Sequence, residues 1–173
     1  GEAIPWSARH AVLKRFNHDL AVVSFSNGWG APQQPDPEDA EFLVQQWHDE
    51  SDLFVLGLVD GPFSAAAKAW GWEGALARLA KPGPAEQRFM AEAVVEFAEY
   101  AERLAALGAD GILIGDDIAY RRATYINPAA LRLSYFPYLT VMVEAGQAAG
   151  LPVVFHSDGN LWAVLDDLMA AGI

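Results

Sequence analysis

Four short apolar runs, each stopping in polar residues or glycine and each followed by a helical pattern, constrain this chain more than any other feature. The runs are Leu20 to Phe25, Leu53 to Val59, Ile112 to Ile114 and Val153 to Phe155. They are rich in strand-forming side chains and largely lack polar alternation, which marks strands covered on both faces. They end in Asn27, in Asp60-Gly61, in Asp116-Asp117, and in His156-Ser157-Asp158-Gly159-Asn160. Strands that alternate with helices imply right-handed crossovers and a parallel sheet.

The intervening segments carry helix signals. Asp36-Pro37-Glu38-Asp39 places an N-cap acid before a proline and acids in the first turn. That helix is expected to reach Glu50 and to present Phe42, Leu43, Gln46 and Trp47. Ser7 is the expected cap of a short helix to Phe16, with Val12, Leu13 and Phe16 on one face. Small residues from Ser64 to Trp70 form a helix that Gly71 interrupts, and Lys81-Pro82-Gly83-Pro84 is a firm break. Ala85 to Leu107 reads as one long helix, with Phe89, Val94, Phe97, Ala101 and Leu104 near helical spacing. Asn127-Pro128 starts a helix to Ala149, which Pro137 should kink or split. Leu161 to Met169 is the last helix.

Two architectures fit this order: an open doubly wound sheet, or part of a (β/α)8 barrel. An open nucleotide-binding sheet needs a glycine-rich phosphate turn leading into a helix. Asn27-Gly28-Trp29-Gly30 leads instead into a proline-containing segment. A barrel gathers its functional groups at the C-terminal ends of several strands, where the polar residues of this chain fall. The expected fold class is therefore α/β, a (β/α)8 TIM-barrel type. A full barrel takes about 250 residues, so the four βα units of this 173-residue sequence make about half of one. With Gly1 rather than Met in front and a helical pattern ending at Ile173, residues 1–173 read as one partial domain of a longer chain.

Composition narrows the function. A net charge of −12 argues against nucleic acid and against anionic membrane surfaces as partners. Cysteine is absent, which excludes disulfides and thiolate metal sites and fits a cytoplasmic protein. No apolar run has the length of a membrane span.

The stretch from Leu151 to Asn160 is the strongest site candidate. Side chains two apart on an extended chain share a side, so His156 and Asp158 face one point and are the expected metal ligands; without a metal His156 could act as a general acid. The alternative is a turn in which Asp158 or Asn160 caps the next helix. Asp116 and Asp117, being adjacent, point oppositely; one faces the mouth and the other caps the loop. Asp60 either reaches the same mouth or holds its turn. Asn27 and Trp29 are candidates for the mouth lining, and Arg121 and Arg122 suit carboxylate or phosphate recognition, or else form a solvated loop charge.

Gly108-Ala109-Asp110-Gly111-Ile112-Leu113-Ile114-Gly115-Asp116-Asp117-Ile118-Ala119 resembles the uroporphyrinogen decarboxylase superfamily. So do Asp60-Gly61-Pro62-Phe63, Asn127-Pro128, Phe136-Pro137-Tyr138 and the stretch from Leu151 to Asn160. The resemblance spans about residues 52 to 173. It implies a (β/α)8 barrel and one of two activities. One branch decarboxylates the acetate side chains of uroporphyrinogen, in porphyrin biosynthesis, without a cofactor. The other comprises methyltransferases that move methyl groups between corrinoid carriers and thiols or O-methyl donors, usually with zinc. In the second branch the strand matching Val153 to Phe155 ends in His-x-Cys, both metal ligands. His156 matches the histidine, and Asp158 stands where the cysteine would be.

The arginine-rich motif of the decarboxylases is not recognisable, and Gly115-Asp116-Asp117 departs from their Phe-Asp-Ser, so the methyltransferase-like branch is expected. In that reading His156 and Asp116 are catalytic, and His156 and Asp158 hold a zinc ion whose third ligand lies beyond Ile173. Asn27, Asp60, Asp117, Tyr120, Arg121 and Asn160 bind a small-molecule, tetrapyrrole or corrinoid substrate. A corrinoid protein and a second copy of the chain are the expected partners. A non-catalytic half-barrel is the remaining alternative, its open edges and inner face needing a partner.

Overall fold

The computed structural model describes residues 4–28, 31 and 33–173, so Trp29 lies outside the described residues. The elements are α1 (Trp6–Arg15), β1 (Leu20–Ser24), α2 (Pro37–Glu50), β2 (Phe54–Asp60), α3 (Pro62–Trp70), α4 (Trp72–Leu79), α5 (Pro84–Val94) and α6 (Phe97–Ala106). They continue with β3 (Gly111–Gly115), α7 (Pro128–Ser134), α8 (Phe136–Ala148), β4 (Val153–His156), a 3-10 turn (Trp162–Val164) and α9 (Leu165–Ala170). The strands form one parallel sheet in the order β1-β2-β3-β4. Sequential order with helical crossovers is the arrangement of a partial (β/α) barrel.

The register sorts the strand residues onto two faces. Ser24 lies opposite Leu58, Asp60 opposite Gly115, and Gly115 opposite His156. One face therefore carries Leu20, Val22 and Ser24; Phe54, Leu56, Leu58 and Asp60; Leu113; and Val154 and His156. The other carries Ala21, Val23, Val55, Val59, Ile112 and Ile114, buried with Val44, Phe63, Leu104, Leu139 and Val143 of the helices. That helix-covered side is the hydrophobic core. On the opposite side, the inner side of a barrel, Leu20, Val22, Phe54 and Val154 remain 42% to 46% exposed.

Local sequence explains most boundaries. The Asp36 side chain accepts hydrogen bonds from the amides of Glu38 and Asp39, as its position before Pro37 predicts. Gly71 takes φ +71 between α3 and α4, a conformation that suits glycine. Three expectations change. Ser7 is not the cap of α1; Pro5 occupies that position, and Val12 and Phe16 are exposed. Phe42 points outward while Ala40, Val44 and Trp47 are buried. The segment expected as one helix from Ala85 to Leu107 is two, α5 and α6. The buried positions Met90, Val94, Phe97, Ala101 and Leu104 keep a three-and-four spacing across the break, so the periodicity does not register it. The helix after Asn127 also divides, at Tyr135, two residues before Pro137.

Candidate functional site

The C-terminal ends of the four strands form one rim, and alternation decides which side chains open onto it. Ile112, Ile114 and Asp116 share the covered face, while Leu113, Gly115 and Asp117 share the inner one. Asp116 accordingly turns toward the helix-covered side, beneath α3. It is 1% exposed. Its Oδ2 accepts from the Phe63 amide at 2.9 Å, and its Oδ1 accepts from the Ser64 amide at 2.7 Å. These are first-turn amides of α3 that no intrahelical carbonyl can satisfy. The carboxylate of Asp116, expected to be catalytic, ties the end of β3 to the start of α3. Gly61 is required there, because a Cβ on it would meet the Asp116 carboxylate. Burial pushes the Asp116 carboxyl up to about 6, against the amide hydrogen bonds that favour its charge. Tyr135, fully buried at the break between α7 and α8, lies close enough to feel that carboxylate. Burial first, and the charge of the Asp116 carboxylate and a hydrogen bond with it after that, raise the pKa of its hydroxyl.

Asp117 turns the other way, onto the rim. There it meets His156 and Asp158 from the end of β4, where two-residue spacing places both on the inner face. His156 Nε2 lies 3.9 Å from Asp117 Oδ1 and 4.0 Å from Asp158 Oδ1. One donor atom from each of the three residues lies within 4.8 Å of the others. The loops carrying them are joined directly. The Asp158 amide donates to Asp117 Oδ1 at 2.8 Å, and the Ile118 amide donates to Ser157 Oγ at 3.0 Å. All three side chains are exposed. Four-coordinate donors at about 2.1 Å from zinc sit roughly 3.4 Å apart, so exposed side chains need only small rotations to converge. Two carboxylates and an imidazole suit zinc and also harder divalent ions. The expected ligands His156 and Asp158 do lie together. Asp117, expected as a substrate contact, places a further carboxylate oxygen beside these two.

At the β1 and β2 ends the rim has a different character. Asp60 is ion-paired with Lys68 of α3. Lys68 Nζ also donates to Ser26 Oγ at 3.0 Å. Lys68 was not among the sequence candidates, although it is the sole charged residue of α3 and follows a strand-ending carboxylate by eight positions. Asn27 is exposed, and its side chain donates to the Gln33 carbonyl at 2.9 Å within its own loop.

The segment between β3 and α7 is a small hairpin, with a bridge between Ala119 and Thr124. Tyr120 stacks on Tyr125 at 5.6 Å, and Tyr125 meets the edge of Trp72 at 4.9 Å. Arg121 and Arg122 are exposed at the tip. The Asn160 amide donates to the Tyr120 carbonyl at 2.9 Å, and its side chain donates to the Arg122 carbonyl at 3.4 Å and accepts from the Trp162 amide at 3.1 Å. Asn160 therefore fastens the hairpin and caps the following turn. The rim thus brings Asp60, Asp117, His156 and Asp158 to one side of the sheet, with Tyr120, Arg121 and Asn160 on the bordering loops, and excludes Asp116.

Among the described residues no helix is long and apolar enough to cross a membrane. No curated protein sequence matches the chain. Among solved structures it is similar to a methyltransferase from Methanosarcina mazei, with a TM-score of 0.63 and 17% identity, over 86% of this chain. The match covers 45% of that structure's chain, so this sequence spans under half the length of the protein it resembles. The family description "Uroporphyrinogen decarboxylase (URO-D)" matches residues 40–173, a span that holds three of the four strands, the three rim aspartates Asp60, Asp117 and Asp158, and His156. With the parallel sheet and its polar rim, that match places the chain in the uroporphyrinogen decarboxylase (URO-D) family.

Proposed function

We propose that this chain contributes the catalytic rim of a methyltransferase-type member of the family, moving a methyl group to or from a corrinoid carrier or a thiol. The observation that carries the reading is the convergence of Asp117, His156 and Asp158 from two adjacent strand ends. The similarity to a methyltransferase structure supports it. These three residues are the proposed metal ligands, with zinc as the first candidate. A divalent metal there supplies Lewis acidity to a donor oxygen or lowers the pKa of an acceptor thiol. The chain's own residues do the rest. The Asp158 amide fixes Asp117, and the bond from Ile118 to Ser157 holds the β3 and β4 loops at constant separation. Lys68 neutralises Asp60 on the opposite side of the rim. The site is thus not one block of negative charge.

The test is metal content and methyl transfer together. Protein stripped with chelator and reloaded should hold about one equivalent of Zn2+ or Co2+, and His156→Ala or Asp158→Ala should lose it. The same variants should abolish consumption of methylcobalamin in the presence of a small thiol. A reloaded protein without stoichiometric metal, or one whose metal survives His156→Ala, would sink the reading.

The second reading is uroporphyrinogen decarboxylation. The exposed Arg121 and Arg122 beside the rim favour it, because guanidinium groups suit a substrate with many carboxylates. Uroporphyrin binding that weakens on Arg121→Ala with no metal dependence would select it.

A further inference from the structure

The hairpin tip is a built cationic feature on an acidic protein. Gly159 takes φ +95 and lies flat against the hairpin; a Cβ there would come within 2.6 Å of the Tyr120 amide nitrogen and 2.7 Å of its carbonyl oxygen. With the Asn160 bonds and the stack from Tyr120 through Tyr125 to Trp72, this close approach fixes the turn that displays Arg121 and Arg122. Neither guanidinium has a salt-bridge partner among the described residues, as is also true of Arg9, Arg15 and Arg88, while Arg78, Arg103 and Arg132 are each paired with a carboxylate; what sets Arg121 and Arg122 apart is their place side by side on one fixed turn. Trp162 is 81% exposed and shares a surface depression with Arg121. Arg121, Trp162, Leu161 and Leu165 border one shallow depression of about 500 Å3.

Two exposed arginines on a fixed turn, one of them sharing a depression with an exposed tryptophan, on a chain of net charge −12, have the composition of an interface hot spot. We propose that this patch docks an acidic protein segment, with carboxylates on Arg121 and Arg122 and an apolar side chain on Trp162. The open depression favours a protein segment over a small anion, which an enclosed polar pocket would hold better. Charge complementarity would also overcome the repulsion that the chain's net charge sets against an acidic partner, and would orient the partner against the rim. The proposal concerns a face outside the three-donor cluster and stands whether or not that cluster binds metal.

Fluorescence polarisation with a labelled 12-residue peptide of alternating Glu and Leu tests it, with the Gln counterpart as control. The Glu peptide should bind and weaken with rising salt. Arg121→Glu/Arg122→Glu should weaken it at least tenfold, Trp162→Ala several-fold, and Arg15→Glu on α1 should leave it unchanged. These positions are exposed, and circular dichroism checks that each variant folds. Equal binding of the Gln peptide, or binding indifferent to the double reversal, overturns the proposal. Displacement of the peptide by uroporphyrin or inorganic phosphate at equal concentration overturns it in favour of a small-anion site. His156→Ala should not change peptide binding; a loss there would assign the peptide to the rim cluster instead.

Discussion

Replacing Asp116 by asparagine tests which of two opposing forces governs the junction of β3 and α3. The carboxylate receives two amide hydrogen bonds from a helix N-terminus, which stabilise its charge. It is also fully buried, which penalises that charge, and burial prevails: the pKa rises from 3.8 to about 6. At about 1.4 kcal/mol per pH unit, that difference amounts to about 3 kcal/mol. The sign follows from linkage. A folded-state pKa above the unfolded one means the native protein holds the proton more tightly. The stabilising contribution is therefore complete below about pH 3.8 and is lost as pH rises through about 6. In Asp116→Asn the group does not titrate. Urea unfolding of both proteins at intervals from pH 3.5 to 7.5 isolates the contribution, since every other titrating group is common to the two. Wild-type stability minus variant stability should fall by about 3 kcal/mol across this range. A difference that stays level, or that rises with pH, would refute the argument. It would mean that the amides and the helix terminus outweigh burial.

Other outcomes follow from single contacts. Gly159→Ala forces a side chain against the Tyr120 backbone at an unfavourable φ and should cost about 1–3 kcal/mol, with faster amide exchange in residues 118–126. Lys68→Met leaves Asp60 without its cation, but both groups retain solvent contact, so the melting temperature should fall only slightly, for a cost of about 1 kcal/mol or less. Leu104→Ala removes a buried side chain from beneath the sheet and should cost about 2–5 kcal/mol in chemical denaturation.

The strands were legible because each apolar run is bounded by glycine or polar residues, and the pairing of His156 with Asp158 followed from two-residue alternation. Alternation also required Asp116 and Asp117 to diverge, but it could not say which faced the rim. That choice is fixed by the register of β3 against β2, where Gly115 meets Asp60, and register is a long-range property. Asp117 consequently entered as a substrate contact rather than as a donor beside His156. The break between α5 and α6 left no trace because the buried stripe continues in phase through Val95 and Glu96. Tyr135 gave no sign of its role, since its place beside Asp116 depends on where the α7–α8 segment divides.

The divergence of Asp116 and Asp117 makes the strand-end geometry of this chain sensitive to length rather than to composition. Inserting or deleting one residue inside β3 would invert every side chain that follows it. The acid now serving as mortar for the α3 crossover would turn to the rim, and the acid now beside His156 would turn to the covered side, taking its place under α3 after a deletion and overshooting the Phe63 and Ser64 amides after an insertion. The number of residues in β3 is therefore held more tightly by the rim than the identity of its hydrocarbon.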